Sequence, residues 1–278
     1  MASSQSYVAL FVALLASCIL CTSGEFSSGL DSVLNKPVIE WDYSDGPNGP
    51  AHWGELSPDW KQCSSGSEQN PMNVDDEHIK LDGSVDCPAK VYYHPAHATV
   101  RADGKTLEAD WAGGIFNVHD YDYILEKLVF HTPSEHTFYG ERFDLEVQFY
   151  HTHPEQGVAI NSLLFREGEH NEWLNQFTAG MSEEGVGKAI SLGMVTSDGV
   201  ESKDLDWRRY YRILGSLSTP PCTHRPSVFW SLLQDPLTAS KEQISKVSAA
   251  FLHKPNVRPL QDMTDRRVYY PKSMAEAN

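Results

Sequence analysis

Two stretches of this chain concentrate side chains that can hold a metal or move a proton. Tyr123-Ile-Leu-Glu-Lys-Leu-Val-Phe-His131 ends on an imidazole, and Phe143-Asp-Leu-Glu-Val-Gln-Phe-Tyr-His151 carries Glu146, Gln148 and His151. Between them, Ser134-Glu-His-Thr137 adds Glu135 and His136. Such a group can ligate a metal, exchange protons, or form a buried polar network that serves stability alone. Residues i and i+2 of a strand share a face, so His151 and His153 point away from the face that Gln148 occupies. No nucleophile paired with a base is visible.

The elements that must position these residues are mostly strands. Ala98-Thr-Val-Arg101, residues 123–131, 143–151, 158–165 and 227–233 are rich in β-branched and aromatic residues and are bounded by Gly, Pro or charge. Helical patterns are confined to 171–177 and 240–252, the second opening on a capping box of Ser240 and Gln243. Residues 25–60, rich in Gly, Pro, Ser, Asp and Trp, predict an irregular N-terminal arm. The fold class expected is mainly β with a few short helices, in one sheet-centred domain.

Composition narrows the function. The 278 residues carry 22 Lys+Arg against 38 Asp+Glu, net −16, with 40% hydrophobic residues. That hydrophobic content excludes a disordered chain, and the acidic balance excludes a nucleic-acid backbone binder, which needs a basic face. Residues 1–24 lack Lys, Arg, Asp and Glu, are apolar from Tyr7 to Leu20, and end in Thr22-Ser23-Gly24. They read as a secretory signal peptide, leaving 25–278 as the mature domain. An apolar run of about 14 residues is short for a membrane span, and no later segment is long enough to be one. The protein is therefore expected in the secretory pathway, either extracellular or in the lumen of a secretory-derived compartment. Of five cysteines, Cys18 and Cys21 leave with the signal; Cys63, Cys87 and Cys222 predict one disulfide and one odd thiol.

Six ordered segments carry a resemblance. They are Gly49-Pro-Ala-His-Trp-Gly54, Cys63-Ser-Ser-Gly-Ser-Glu-Gln-Asn-Pro-Met-Asn-Val74, His131-Thr-Pro-Ser-Glu-His-Thr-Phe-Tyr-Gly140, residues 143–151, Tyr211-Arg-Ile-Leu-Gly-Ser-Leu-Ser-Thr-Pro-Pro-Cys222 and Asn256-Val-Arg-Pro-Leu-Gln261. Together they resemble the α-class carbonic anhydrases from about 40 to 270. The resemblance implies a single domain around a large, mostly antiparallel central sheet. It also implies a disulfide between Cys63 and Cys222, leaving Cys87 inert or free to bridge two chains.

In that family a zinc ion held by three histidines activates water for attack on CO2. Carried onto this sequence, the ligand positions fall on Val129, His131 and Gln148, so one histidine of three remains. Lys127 stands where a glutamine usually orients the first ligand, and Glu146 matches the orienter of the third. Glu135 and Ser218 match the gatekeeping pair, and His97 falls where a proton-shuttling histidine sits. The apolar wall of the pocket would be Tyr150, Ile160, Leu217 and Trp230. Each residue also has a structural reading. His131 would be a hydrogen-bonded core histidine, Glu135, His136, Glu146 and His151 parts of a buried network, His97 a surface residue, and Val129 and Gln148 core fillers.

The sequence favours a catalytically inactive, carbonic-anhydrase-related binding or structural module, with no cofactor and an unknown extracellular or lumenal protein partner. The alternative is a zinc-dependent carbonate dehydratase with a rebuilt site using His131, Gln148 and waters. A third reading is another small-molecule or esterase-like activity in the same cleft.

Overall fold

The computed structural model describes residues 38–82, 90–118, 120–179, 181–201, 204–224, 228–263 and 266–271. The expected signal peptide and Cys87 lie outside these residues. Two compact units divide the chain, 1–40 and 41–278. Of the first, only residues 38–40 are described, and they have no regular structure.

Sixteen strands run through the described residues of the second unit. They are β1 (Asn73–Val74), β2 (Ile79–Asp82), β3 (Lys90–Tyr93), β4 (Ala96–Ala102), β5 (Leu107–Trp111), β6 (Gly114–Val118), β7 (Tyr121–His131) and β8 (Thr137–Phe138), then β9 (Glu141–Arg142), β10 (Leu145–His153), β11 (Gly157–Glu167), β12 (Ala189–Val195), β13 (Tyr210–Gly215), β14 (Val228–Leu233), β15 (Leu237–Ala239) and β16 (Val268–Pro271). Four short helices accompany them: α1 (Trp53–Leu56), α2 (Gln62–Ser65), α3 (Glu172–Thr178) and α4 (Lys241–Ala249).

The main sheet follows the order β12-β4-β5-β7-β10-β11-β14-β13-β16-β2, with β3, β6 and β15 attached beside it. Most pairings are antiparallel; β11–β14, β11–β15 and β16–β2 are parallel. The mainly β, mostly antiparallel expectation therefore holds. The irregular arm expected over 25–60 is in part regular, because Trp53–Leu56 forms α1 and Pro58–Trp60 a 3₁₀ turn capped by Ser57. Helix α4 begins on the expected capping box, but it stops at Ala249, short of the pattern's end at 252. Leu252 and His253 turn the chain with positive φ.

Alternation along β10 explains how the sheet holds both a core and a site. Leu145, Val147 and Phe149 face one side and join Leu163, Phe165, Trp173 and Phe177 in the larger hydrophobic core. Glu146, Gln148 and Tyr150 face the other side, across from Leu164, Ser162 and Ile160 of β11. Both faces are covered, so the strand is nearly continuously buried. On the larger-core side Phe149 stacks on Trp173 at 5.4 Å and 16°. Aromatic pairs of this kind contribute about 1 kcal/mol beyond the area they bury.

Cys63 of α2 is joined to Cys222, 159 residues away in sequence. This is the disulfide that the resemblance implied. A loop of that length gives about 5 kcal/mol in the chain-entropy view of cross-links. The expected outcome of replacing both cysteines by serine is a loss of up to that amount. Urea unfolding of the variant against the oxidised protein measures it.

Candidate functional site

The site is built where β7, β10 and the 132–136 turn meet. Val129 and Gln148 are Cα partners across β7 and β10, and His131 is the partner of Glu146. The three positions onto which the resemblance carries the zinc ligands thus lie on one face of neighbouring strands. Val129 is nearly buried, and Gln148 and His131 are fully so.

Glu146 is the centre of the network. Its Oε2 accepts the backbone N–H groups of Glu135 (2.8 Å) and His136 (2.9 Å). Its Oε1 accepts His136 Nδ1–H (2.9 Å), Ser162 Oγ–H (2.8 Å) and Gln148 Nε2–H (3.0 Å). Burial alone would raise this carboxyl, but the charge and hydrogen bond of His136 hold it well below the usual carboxylate range. His136 in turn meets Asn70 Nδ2 at 3.0 Å. Asn70 is approached so closely by β13 that a Cβ at Gly215 would collide with its Oδ1.

Gln148 is fully engaged. Its Nε2 also donates to Glu135 Oε2 at 3.2 Å, and its Oε1 accepts Tyr150 Oη–H at 3.2 Å. Burial, and then the negative charges of Glu135 and Glu108, push the Tyr150 phenol up, so it stays a donor. The Ser218 hydroxyl, also buried, makes no hydrogen bond of good geometry.

His131 is held differently. Its Nδ1 contacts the Asn256 carbonyl at 2.8 Å. Asn256 braces the strand end further, accepting Thr132 N–H and donating to the Phe130 carbonyl. His131 Nε2 has no hydrogen-bond partner, and Glu135 Oε2 is 3.5 Å away. Glu135 Oε1 accepts the Arg258 backbone N–H. The Arg258 side chain crosses the Trp53 ring and donates to Gln69, Asn70 and Cys63, tying the site to the disulfide. Burial lowers its guanidinium to about 10.

Above this floor opens a cleft of about 340 Å³. Val129, His131, Tyr150 and Leu217 line it, with Trp41 and Tyr43 from the N-terminal arm. Lys127 stands on its wall, bonded to Glu108 at 2.7 Å and lying over the Tyr150 ring at 5.6 Å. A bulge between Tyr150 and His151 shifts the register against β7. Adjacent Glu126 and Lys127 consequently both reach the cleft.

Several expected site residues fall elsewhere. His97 lies exposed on β4 beside Met194 and is not among the residues lining the cleft. Ile160 and Trp230 continue the cross-strand row of Tyr150, but they are fully buried in the second core, where Trp230 packs on His136 at 4.7 Å and donates to the Ser216 carbonyl. The bulky Tyr150 ends that row at the cleft, so the wall is Tyr150 and Leu217 rather than all four residues. His151 points away as its parity requires, meeting Tyr93 Oη and the Ala159 carbonyl. Burial pushes His151 down to about 3. Asn256, Arg258, Tyr43 and Glu108 escape sequence reasoning as site residues. The first two sit in a segment notable only as a sequence match, and the others carry no local signal.

Comparison with known proteins agrees with this geometry. Residues 48–272 match the family profile of the eukaryotic-type carbonic anhydrases. The chain is 31% identical to dioscorin dioA3 of Dioscorea japonica, covering 96% of this chain and 95% of that one. It is 34% identical to alpha carbonic anhydrase 4 of Arabidopsis thaliana, covering 80% and 82%. Among solved structures, dioscorin complexed with ascorbate superposes with a TM-score of 0.75 at 32% identity, covering 83% of this chain and 97% of that one. The alpha-carbonic anhydrase of Thermovibrio ammonificans with sulfanilamide gives 0.74 at 30% identity, covering 84% and 100%.

Two groups make stability fall in acid. His151, depressed to about 3, stays neutral in the fold while its unfolded counterpart takes a proton near the free value of about 6.5. Stability is thus expected to drop as pH falls from about 6.5 toward 3. Glu146, also depressed, adds a loss that begins near the free carboxylate value of about 4.3. Glu146→Gln should remove that second component. At pH 7 it should cost about 3–5 kcal/mol, because a buried hydrogen-bonded charge centre is broken. Denaturant unfolding at pH 7, 5.5 and 3.5 checks both.

Proposed function

Because the chain belongs to the eukaryotic-type carbonic anhydrase family, we propose that it keeps the family's scaffold and cleft without zinc-dependent CO2 hydration, and that it acts as a secreted binding module. The observation that carries this reading is the state of the ligand positions. Catalytic zinc is held by three protein ligands, with imidazole, thiolate or carboxylate as the usual donors. Here Val129 offers no donor. The oxygen of Gln148 is occupied by Tyr150, and its nitrogen donates to Glu146 and Glu135. A single imidazole lone pair remains, that of His131 Nε2. The residues present do not fit a catalytic zinc site, and no hydration step is assigned to them. Among the described residues, no group of three or more His, Cys, Asp or Glu is placed to hold a metal.

Other features support the same reading. The network that would orient a ligand histidine is intact, but Glu146 now directs an amide. Its retention fits a role in holding the fold. The signal-like first 24 residues and the Cys63–Cys222 disulfide support passage through an oxidising secretory compartment. Among the described residues no helix is long and apolar enough to cross a membrane. The dioscorin complex with ascorbate supports the use of this scaffold for small-molecule binding. Cys87 remains available in the proposal for a bridge to a second chain.

The test is direct. Mature protein loaded with excess zinc and then desalted should retain well under one zinc per chain. Its CO2 hydration by stopped flow should equal the buffer blank and ignore sulfanilamide. Near-stoichiometric zinc together with sulfonamide-sensitive hydration would favour the carbonate dehydratase and overturn this reading.

A further inference from the structure

Two buried polar atoms at the cleft lack partners, and both can accept a hydrogen bond. The first is His131 Nε2. The His131 Nδ1 contact to the Asn256 carbonyl requires that Nδ1 carry the hydrogen, because a carbonyl can only accept. In the neutral form of the ring that leaves a lone pair at Nε2. Its side chain is 1% exposed, and Nε2 has no hydrogen-bond partner. The nearest charged atom is Glu135 Oε2 at 3.5 Å, another acceptor. Glu135 Oε2 already accepts Gln148 Nε2–H, so Nε2 is the atom of this pair without a hydrogen-bond partner. The second atom is the Tyr43 hydroxyl, also buried and unpartnered. Its ring is fixed edge-on against Trp41 (5.4 Å) and Trp53 (5.6 Å).

Carboxylates outnumber cations around the cleft. Glu135 and the ionised Glu146 lie beneath it, and Glu108 and Glu126 stand on its walls. Lys127 is committed to Glu108, and Arg258 to backbone and amide oxygens. An anion entering here meets carboxylates, with no uncommitted cation among the described lining residues to receive it, whereas a positive head group is attracted. Above the floor the walls are apolar or aromatic: Val129, Tyr150, Val158, Leu217 and Pro220.

We propose that the cleft binds a small primary amine with an apolar or aromatic body, its ammonium donating to His131 Nε2 and the Tyr43 oxygen. An ammonium brings three donors and a single charge, so it satisfies the acceptors that two missing imidazoles leave unable to hold a metal. The apolar body packs on Tyr150 and Leu217. This inference rests on the reading that zinc does not occupy the cleft.

Isothermal titration at pH 8 on chelator-treated mature protein tests it with four probes: benzylamine, benzyl alcohol, benzoate and ascorbate. Benzylamine should bind about tenfold or more tightly than benzyl alcohol, the size expected of a charge-assisted hydrogen bond, and both anions should bind more weakly than the alcohol. Tyr43→Phe should weaken benzylamine several-fold without shifting the urea midpoint, because that hydroxyl has no internal bond to lose. His131→Leu should remove the preference for amine over alcohol. Benzylamine binding no better than the alcohol, an anion binding best, or both variants binding like wild type would each overturn the proposal. A parallel zinc titration separates the two readings. Stoichiometric zinc uptake sinks the proposed function, whereas failure of benzylamine on protein that takes up no zinc sinks only the amine site.

Discussion

A single buried carboxylate organises this molecule. Glu146 sits near the start of the central strand β10 with no exposed surface, a position where an unpaired charge would cost several kcal/mol. Five hydrogen bonds from three separate segments offset that cost. They fix the 134–136 turn over the sheet, lock His136 against Asn70, join β10 to Ser162 of β11, and set the Gln148 amide. Because Glu135 is placed by the same contacts, its carboxylate reaches the Arg258 backbone, and Arg258 carries the connection on to Gln69, Trp53 and the disulfide.

The dependence of the site on this one charge explains a combination that looks contradictory. The hydrogen-bond network of Glu146 is complete, while the resemblance carries two of three zinc-ligand positions onto valine and glutamine. A glutamine fits where an imidazole would stand because its amide N–H can donate to Glu146 as a ring N–H would. Tyr150 then completes the amide by donating to its oxygen. The network stays satisfied, so the fold tolerates the exchange. His131 Nε2 is the exception, a buried acceptor that the protein itself does not satisfy.

Much of the fold was legible in the sequence because strand burial is encoded by alternation and by β-branched and aromatic composition. Residues 123–131 and 158–165 fall inside β7 and β11, residues 143–151 largely coincide with β10, and the Ser240–Gln243 capping box opens α4 as its spacing requires. The residues that sequence reasoning misplaces share a cause. His97 matches a shuttle position only by its segment, and strand pairing sends it to the solvent beside Met194, as its surface reading expected. Ile160 and Trp230 have the correct parity for the cleft, but a tyrosine at 150 ends their row before they reach it. Tyr43, Glu108 and Arg258 come from an irregular arm, the neighbouring strand β5 and an irregular segment, and no local pattern marks them.

By itself the sequence determined the residue types at each position: one histidine, a valine and a glutamine at three sites that share a face, and two cysteines with a long loop between them. Those identities follow from the order of residues and the period of a strand, so they needed no coordinates. Only the tertiary structure decided what each group touches. That Gln148 gives its oxygen to Tyr150, that Lys127 is consumed by Glu108, and that Tyr43 and His131 meet at one cleft depend on how the strands pair and where the arm lies. Hydrogen bonds and charge pairs act over a few ångströms, and side chains come within that range only after the sheet has closed around them.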